Sequence, residues 1–188
     1  MLFNSINFIV FALIFFPIYH LATGKVRLFI TLISSYIFYS FFDYRFLLLI
    51  LGITLINYYF GLLFDRNRKK IYLLLALALN LLTLAYFKYF NFFIDSFYDL
   101  LQIFGVYKKQ YIFEIILPVG ISFFTFQGMS YTIDVYKKKI KAEKSLLKFS
   151  TYISLFPQLV AGPIVRAGKI MNFLGEKSYL SFVIFLIF

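Results

Sequence analysis

The 188 residues contain no cysteine and no tryptophan, and a single histidine, His20. Without thiols there is no disulfide, no thiolate nucleophile and no Cys-based metal site. With one imidazole, no Ser/His/Asp set assembles, and no His, Asp and Glu cluster has metal-ligand spacing. No Gly-rich loop fits a phosphate cradle. Acidic residues are scarce as well: 8 Asp and Glu stand against 19 Lys and Arg, a net charge of +11. A basic balance admits nucleic acid as a partner. Here, however, the basic residues form short clusters between apolar runs, the pattern of loops that obey the positive-inside rule, and no nucleic-acid binding is expected.

What is present is apolar: 62% of the chain is hydrophobic and 23% aromatic, with 28 Phe and 16 Tyr. A soluble domain is nearer half apolar. Several runs reach or approach the roughly 20 residues that a helix needs to cross a bilayer. The expected fold class is all-α, a polytopic transmembrane bundle forming a single domain over residues 1–188. Its expected spans are 2–22, 28–42, 46–64, 71–87, 112–136 and 145–165. A last apolar run, 179–188, is too short to cross, and the chain reads as the N-terminal part of a longer protein. No Lys or Arg precedes the first run, so the N-terminus reads as an uncleaved helix rather than a secretory signal.

The basic clusters orient the chain. Arg66–Lys70 belongs on the cytoplasmic side, as do Lys25 with Arg27, and Lys137–Lys144. The expectation is an inner-membrane, multi-pass protein with its N-terminus outside. An even number of crossings must then separate Lys70 from Lys137. Segment 92–106, short and bearing Asp95 and Asp99 one helical turn apart, is expected as an interfacial helix and not a crossing. The alternative is a re-entrant break at Pro118-Val119-Gly120.

Polar residues concentrate in two stretches. Gln127, Tyr131 and Asp134 fall at i, i+4 and i+7 and share one helix face, with Ser130 beside them. The second stretch, around Gln158 and Arg166, carries Pro157, Gly162 and Pro163, which forbid an unbroken helix. Broken backbone at membrane depth is tolerated only where protein or a water-filled cavity covers it. Such a stripe either lines a cavity or ties helices together. Asp134 also reads as an interfacial partner for Lys137 and Lys138, and Arg166 as a snorkelling anchor. His20, at the cytoplasmic end of the first span, reads as interfacial.

Two blocks carry a resemblance. Leu117-Pro118-Val119-Gly120-Ile121-Ser122-Phe123-Phe124-Thr125-Phe126-Gln127, continued by Ser130-Tyr131-Thr132-Ile133-Asp134-Val135-Tyr136, is one. Phe156-Pro157-Gln158-Leu159-Val160-Ala161-Gly162-Pro163-Ile164-Val165-Arg166 is the other. In order and spacing they resemble the membrane-bound O-acyltransferases, specifically the alginate O-acetyltransferase-type branch. The strong match covers residues 117–166. The resemblance implies a helical bundle with a passage through the membrane. It implies transfer of an acyl group, usually acetyl, from a cytoplasmic donor such as acetyl-CoA, used as substrate with no bound cofactor. The implied acceptor is an exopolysaccharide or cell-wall polymer, often reached through an extracytoplasmic transferase or an export partner. The family's catalytic histidine lies in a later Trp-His-Gly type motif. This chain has no tryptophan, and His20 matches no position of that motif, so no catalytic residue is assigned and the chain alone is expected to be inactive. Gln127, Ser130, Tyr131, Asp134, Gln158 and Arg166 are the candidates for lining the passage or meeting the donor. Pro118, Gly120, Pro157, Gly162 and Pro163 are the structural motif, and no metal site is expected. Two readings of other classes stay open: a small transporter or flippase-like bundle with a midplane site, and a non-catalytic membrane scaffold.

Overall fold

The computed structural model describes residues 5–105, 115–161 and 167–174. Those residues form helices, turns and short extended links, with no strand among them. The helices are α1 (Ile6–Leu21), α2 (Gly24–Asp43), α3 (Leu47–Arg66), α4 (Lys70–Ile103), α5 (Ile121–Tyr136), α6 (Leu146–Ser154), α7 (Phe156–Ala161) and α8 (Ala167–Phe173).

Local chemistry sets the helix ends. Ser5 opens α1 by accepting the N–H of Phe8 on its hydroxyl (3.2 Å), and Ser145 opens α6 by accepting from Lys148 (3.3 Å); both satisfy donors that a helix start leaves unpaired. Between α2 and α3 the chain reverses through a single 3-10 turn, Tyr44–Phe46. There the Arg45 guanidinium grips Asp43 in a fork at 3.0 and 2.6 Å. That hydrogen-bonded guanidinium, helped by the Arg45 backbone N–H, holds the Asp43 carboxyl below its ordinary value. The contribution of the pair is therefore complete at neutral pH and fades only as pH falls through that lowered value.

Paired contacts fix the directions. Phe11 meets Phe38, and Tyr19 meets Arg27, so α1 and α2 are antiparallel. Phe46 meets Phe87 and Asn57 meets Asn80, so α3 and α4 are antiparallel. Asn57 meets Thr132 and Phe64 meets Tyr136, which makes α5 parallel to α3. Gln127 meets Tyr152 and Tyr131 meets Phe149, which turns α6 back along α5. The core lies among α2, α3, α5 and α6, around Tyr39, Ile50, Phe64, Phe124, Tyr131, Phe149 and Tyr152, each 1% exposed or less.

Two stretches, Gly24–Arg66 and Lys70–Ile103, are long and apolar enough to cross a membrane. Only 28% and 17% of their most apolar windows are buried inside the protein. A core helix of a soluble protein would be covered, whereas here Leu48, Leu82, Phe93 and Ile103 present their side chains outward. Such surface calls for lipid or for further protein.

Several expected boundaries differ. Segments 71–87 and 92–106 are not separate elements: α4 runs unbroken through Lys88–Asn91, with no Gly or Pro to stop it. At 34 residues α4 is about 51 Å long, well beyond a hydrocarbon core of about 30 Å. Within the expected span 112–136, the described residues 115–120 are not helical and α5 begins at Ile121. The expected span 145–165 is broken at Leu155 into α6 and α7. Helix α8 falls where no element was expected, and residues 179–188 lie outside the described residues.

Candidate functional site

The polar stretches lie on α5 with the link before it, and on the broken pair α6 and α7. Before α5, the non-helical link is pinned by side chains of neighbouring helices. Asn91 of α4 donates its amide N–H to Ile115 O (2.8 Å) and accepts the Ile115 N–H (3.1 Å). Tyr39 of α2 donates its hydroxyl to Val119 O (2.8 Å). Gly120 then takes φ +74°, and the Leu159 carbonyl oxygen of α7 stands where a side chain would begin, 2.7 Å from an ideal Cβ. Only glycine meets both conditions without strain. Pro118 O accepts from Ile121 (3.3 Å), closing the turn that launches α5.

Opposite, α6 stops at Ser154. Pro157 lies in the first turn of α7, where its missing N–H costs nothing. The freed Phe156 N–H donates to Ser35 Oγ of α2 (3.2 Å). The polar backbone of the break is thus covered by protein, as membrane depth requires. Beside the Gly120–Leu159 contact opens a pocket of about 390 Å³, lined by Ser122 and Gln158 among residues 117–123 and Leu159. Gln158 itself is buried, with 4% exposed.

Along α5 the stripe packs inward. Gln127 donates its amide N–H to Tyr152 O (2.9 Å). Its own carbonyl Oε1, and Thr125 Oγ1, are buried without a hydrogen-bond partner among the described residues. The Tyr131 hydroxyl accepts the backbone N–H of Glu143 (2.9 Å), and its ring lies against Gly61. Asp134 is 3.8 Å from Lys139, not from Lys137 or Lys138. Ser130 is half-buried. Gln127, Tyr131 and Asp134 therefore share one buried face with named helix and loop partners, and Gln158 stands apart beside Gly120. Gly162, Pro163 and Arg166 lie outside the described residues. His20 is exposed, its ring edge-on to Tyr19.

Sequence reasoning passed over the most connected polar group. Asn57 of α3 and Asn80 of α4 exchange amide hydrogen bonds at 2.9 and 3.2 Å, and Thr132 of α5 donates to Asn57 Oδ1 at 2.7 Å. All three side chains are fully buried. The second N–H of each amide goes to its own helix, at Ile53 O and Ala76 O. Gly128 makes room: an added Cβ there would stand 2.5 Å from Asn57 Nδ2. The available signal was one amide in the middle of each of two apolar runs, an arrangement that membrane depth makes expensive unless the amides meet.

Among the described residues the arrangement is all-helical, with two stretches long and apolar enough to cross a membrane and with polar side chains buried between helices, which fits the class of membrane-embedded helical proteins. Comparison with known proteins shows what the chain is similar to. Over 185 residues, 95% of this chain, it is 36% identical to a probable alginate O-acetylase of Pseudomonas aeruginosa, covering 35% of that protein. It is 37% identical, over the same share, to the probable alginate O-acetylase of Pseudomonas syringae pv. tomato, covering 36% of it. Over 181 residues it is 31% identical to the peptidoglycan O-acetyltransferase of Helicobacter pylori, covering 33% of it. No family model and no solved structure matches the chain. The chain is similar to these O-acetyltransferases, in keeping with the membrane-bound O-acyltransferase family that its two motif blocks resemble. It spans about a third of the length of the curated relatives it matches.

Proposed function

We propose that this chain is part of a membrane-bound O-acetyltransferase, and that the link before α5 and the broken pair α6 and α7 form one wall of the passage used by the acyl donor. The observation that carries the reading is the junction of the motif blocks. Gly120 touches the Leu159 carbonyl, and a pocket of about 390 Å³ opens there with Ser122 and Gln158 in its lining. A hydroxyl and an amide in an otherwise apolar pocket suit an acetyl carbonyl or a carrier's polar groups.

The donor is acetyl-CoA or another cytoplasmic acyl donor, and the acceptor an exopolysaccharide or cell-wall polymer reached through an extracytoplasmic transferase or export partner. Charge supports the orientation. Lys25, Arg66–Lys70 and Lys137–Lys144 share one end of the bundle, which is the cytoplasmic end under the positive-inside rule; the start of α1 then lies outside. The bundle sits in the inner membrane as a multi-pass unit, and α4 and α5 provide the even number of crossings between Lys70 and Lys137.

The chemistry itself needs a general base near the accepting hydroxyl. Gln127, Tyr131, Gln158 and Arg166 can donate hydrogen bonds, but none is a suitable base, so the 188 residues alone transfer no acetyl group. The test is made in cells, with the full-length protein carrying Gln158→Ala or Ser122→Ala, by quantifying O-acetyl groups on the exported polymer at matched membrane levels. A several-fold loss is expected for Gln158→Ala. Unchanged acetylation in both variants would remove the passage from this pocket.

A further inference from the structure

The basic loop between α5 and α6 is built rather than slack. Ile140 packs on the core and Ala142 is buried, while Lys139 and Lys141 between and beside them face outward. Lys138 adopts φ 60°, and the Lys139 N–H returns to Asp134 O (2.9 Å). Two tyrosines from the bundle hold the backbone: the Tyr131 hydroxyl accepts the Glu143 N–H, and the Tyr58 hydroxyl donates to Lys144 O (2.7 Å). The ion pairs of this loop engage Lys139 with Asp134 and Lys148 with Glu143. Lys137, Lys138, Lys141 and Lys144 are exposed, and none of them belongs to those pairs. The α3–α4 corner with exposed Lys69 and Lys70 lies alongside, joined through the ring contact of Phe64 with Tyr136 (5.3 Å).

We propose that this tethered lysine ledge, with Lys69 and Lys70, binds the phosphate groups of anionic phospholipids, and that these lipids are held as specific ligands of the bundle. The committed source is the lipid headgroup because of depth. Tyr58, Tyr72 and Tyr136, all half-buried, stand directly beside the lysines, and tyrosine collects at the level of the headgroups. Ammonium groups just beyond that level face the phosphate plane. A backbone held in place presents them together and loses little freedom on binding. The inference rests on the membrane-embedded reading and is independent of acetyl transfer.

The test uses full-length protein in neutral detergent, with native mass spectrometry against phosphatidylglycerol and phosphatidylcholine in separate titrations. Phosphatidylglycerol is expected to be retained preferentially, with the preference shrinking as salt rises. Replacing Lys137, Lys138 and Lys141 with Gln is expected to weaken it by about five-fold per lysine, the factor that corresponds to about 1 kcal/mol per basic residue at an anionic surface. Lys88→Gln, far along α4, leaves it unchanged. Tyr131→Phe keeps every charge but releases the tether, and it lowers the preference without abolishing it. Equal retention of the two lipids overturns the proposal, as does a triple variant that binds like the parent. Displacement of phosphatidylglycerol by soluble coenzyme A overturns it too, since it would assign the ledge to a nucleotide phosphate.

Discussion

Asn57 shows how one side chain can order three helices. Its amide meets Asn80, Thr132 and the Ile53 carbonyl, and the small residue Gly128 gives it room. Polar pairs inside membrane bundles contribute modestly, because the separated helices also find partners. A double-mutant cycle of Asn57→Ala and Asn80→Ala is expected to give a coupling of about 0.6–1.7 kcal/mol, measured by unfolding in mixed micelles. Gly128→Ala pushes a methyl onto Asn57 and is expected to cost about 1–3 kcal/mol, the usual range for overpacking. Asn57→Ala in the same chain should recover much of that loss, since it removes the atoms that clash. A Gly128→Ala chain as stable as the parent would contradict the packing. At this scale the α5 stripe was legible from spacing alone, because a helix puts i, i+4 and i+7 on one face. The Asn57–Asn80 pair was not, since its members lie on different helices and their meeting depends on register.

At the level of elements, the interruptions were legible and the continuities were not. Pro157 cannot sit in a helix interior, so a break near it follows from covalent geometry. The chain breaks just before it, at Leu155, and leaves Pro157 in a first turn. The expected boundary near residue 90 does not exist. Lys88 lowers the local hydropathy, but its ammonium lies over the Tyr89 ring at 5.5 Å and the backbone ladder continues. Hydropathy marks where lipid ends, while hydrogen bonds mark where a helix ends. The turn that launches α5 carries two expectations. Tyr39→Phe removes the bond to Val119 O and is expected to cost about 0.5–1.5 kcal/mol in the same unfolding assay. Gly120→Ala is expected to cost more, because it meets both the positive φ and the Leu159 carbonyl. A cysteine placed at Ser122 should then label faster with a soluble maleimide as the turn loosens.

For the whole molecule, the charge asymmetry and the buried polar side chains point the same way. The lysine-rich end gathers three connections, while Asp43, Asp95 and Asp99 sit towards the other. His20 is exposed at the basic end, away from the Gly120–Leu159 junction. His20→Ala in the full-length protein is therefore expected to keep polymer O-acetylation within about two-fold of the parent, well short of the 10²–10⁴-fold that loss of a catalytic acid or base costs. A hundred-fold loss at normal membrane levels would make His20 part of the chemistry.

The sequence by itself determined the all-helical class, the apolar character and the basic end, and it carried the resemblance to the O-acyltransferases. These follow from composition, from period and from motif blocks that are contiguous in the chain. Only the tertiary structure decided that α4 is one long helix, that Asn57, Asn80 and Thr132 lock three helices, and that Gly120 faces the Leu159 carbonyl. The reason is physical. A helix face is fixed by the rotation per residue along one segment, whereas contact between two segments depends on their tilt and register, which the packing of the whole bundle sets.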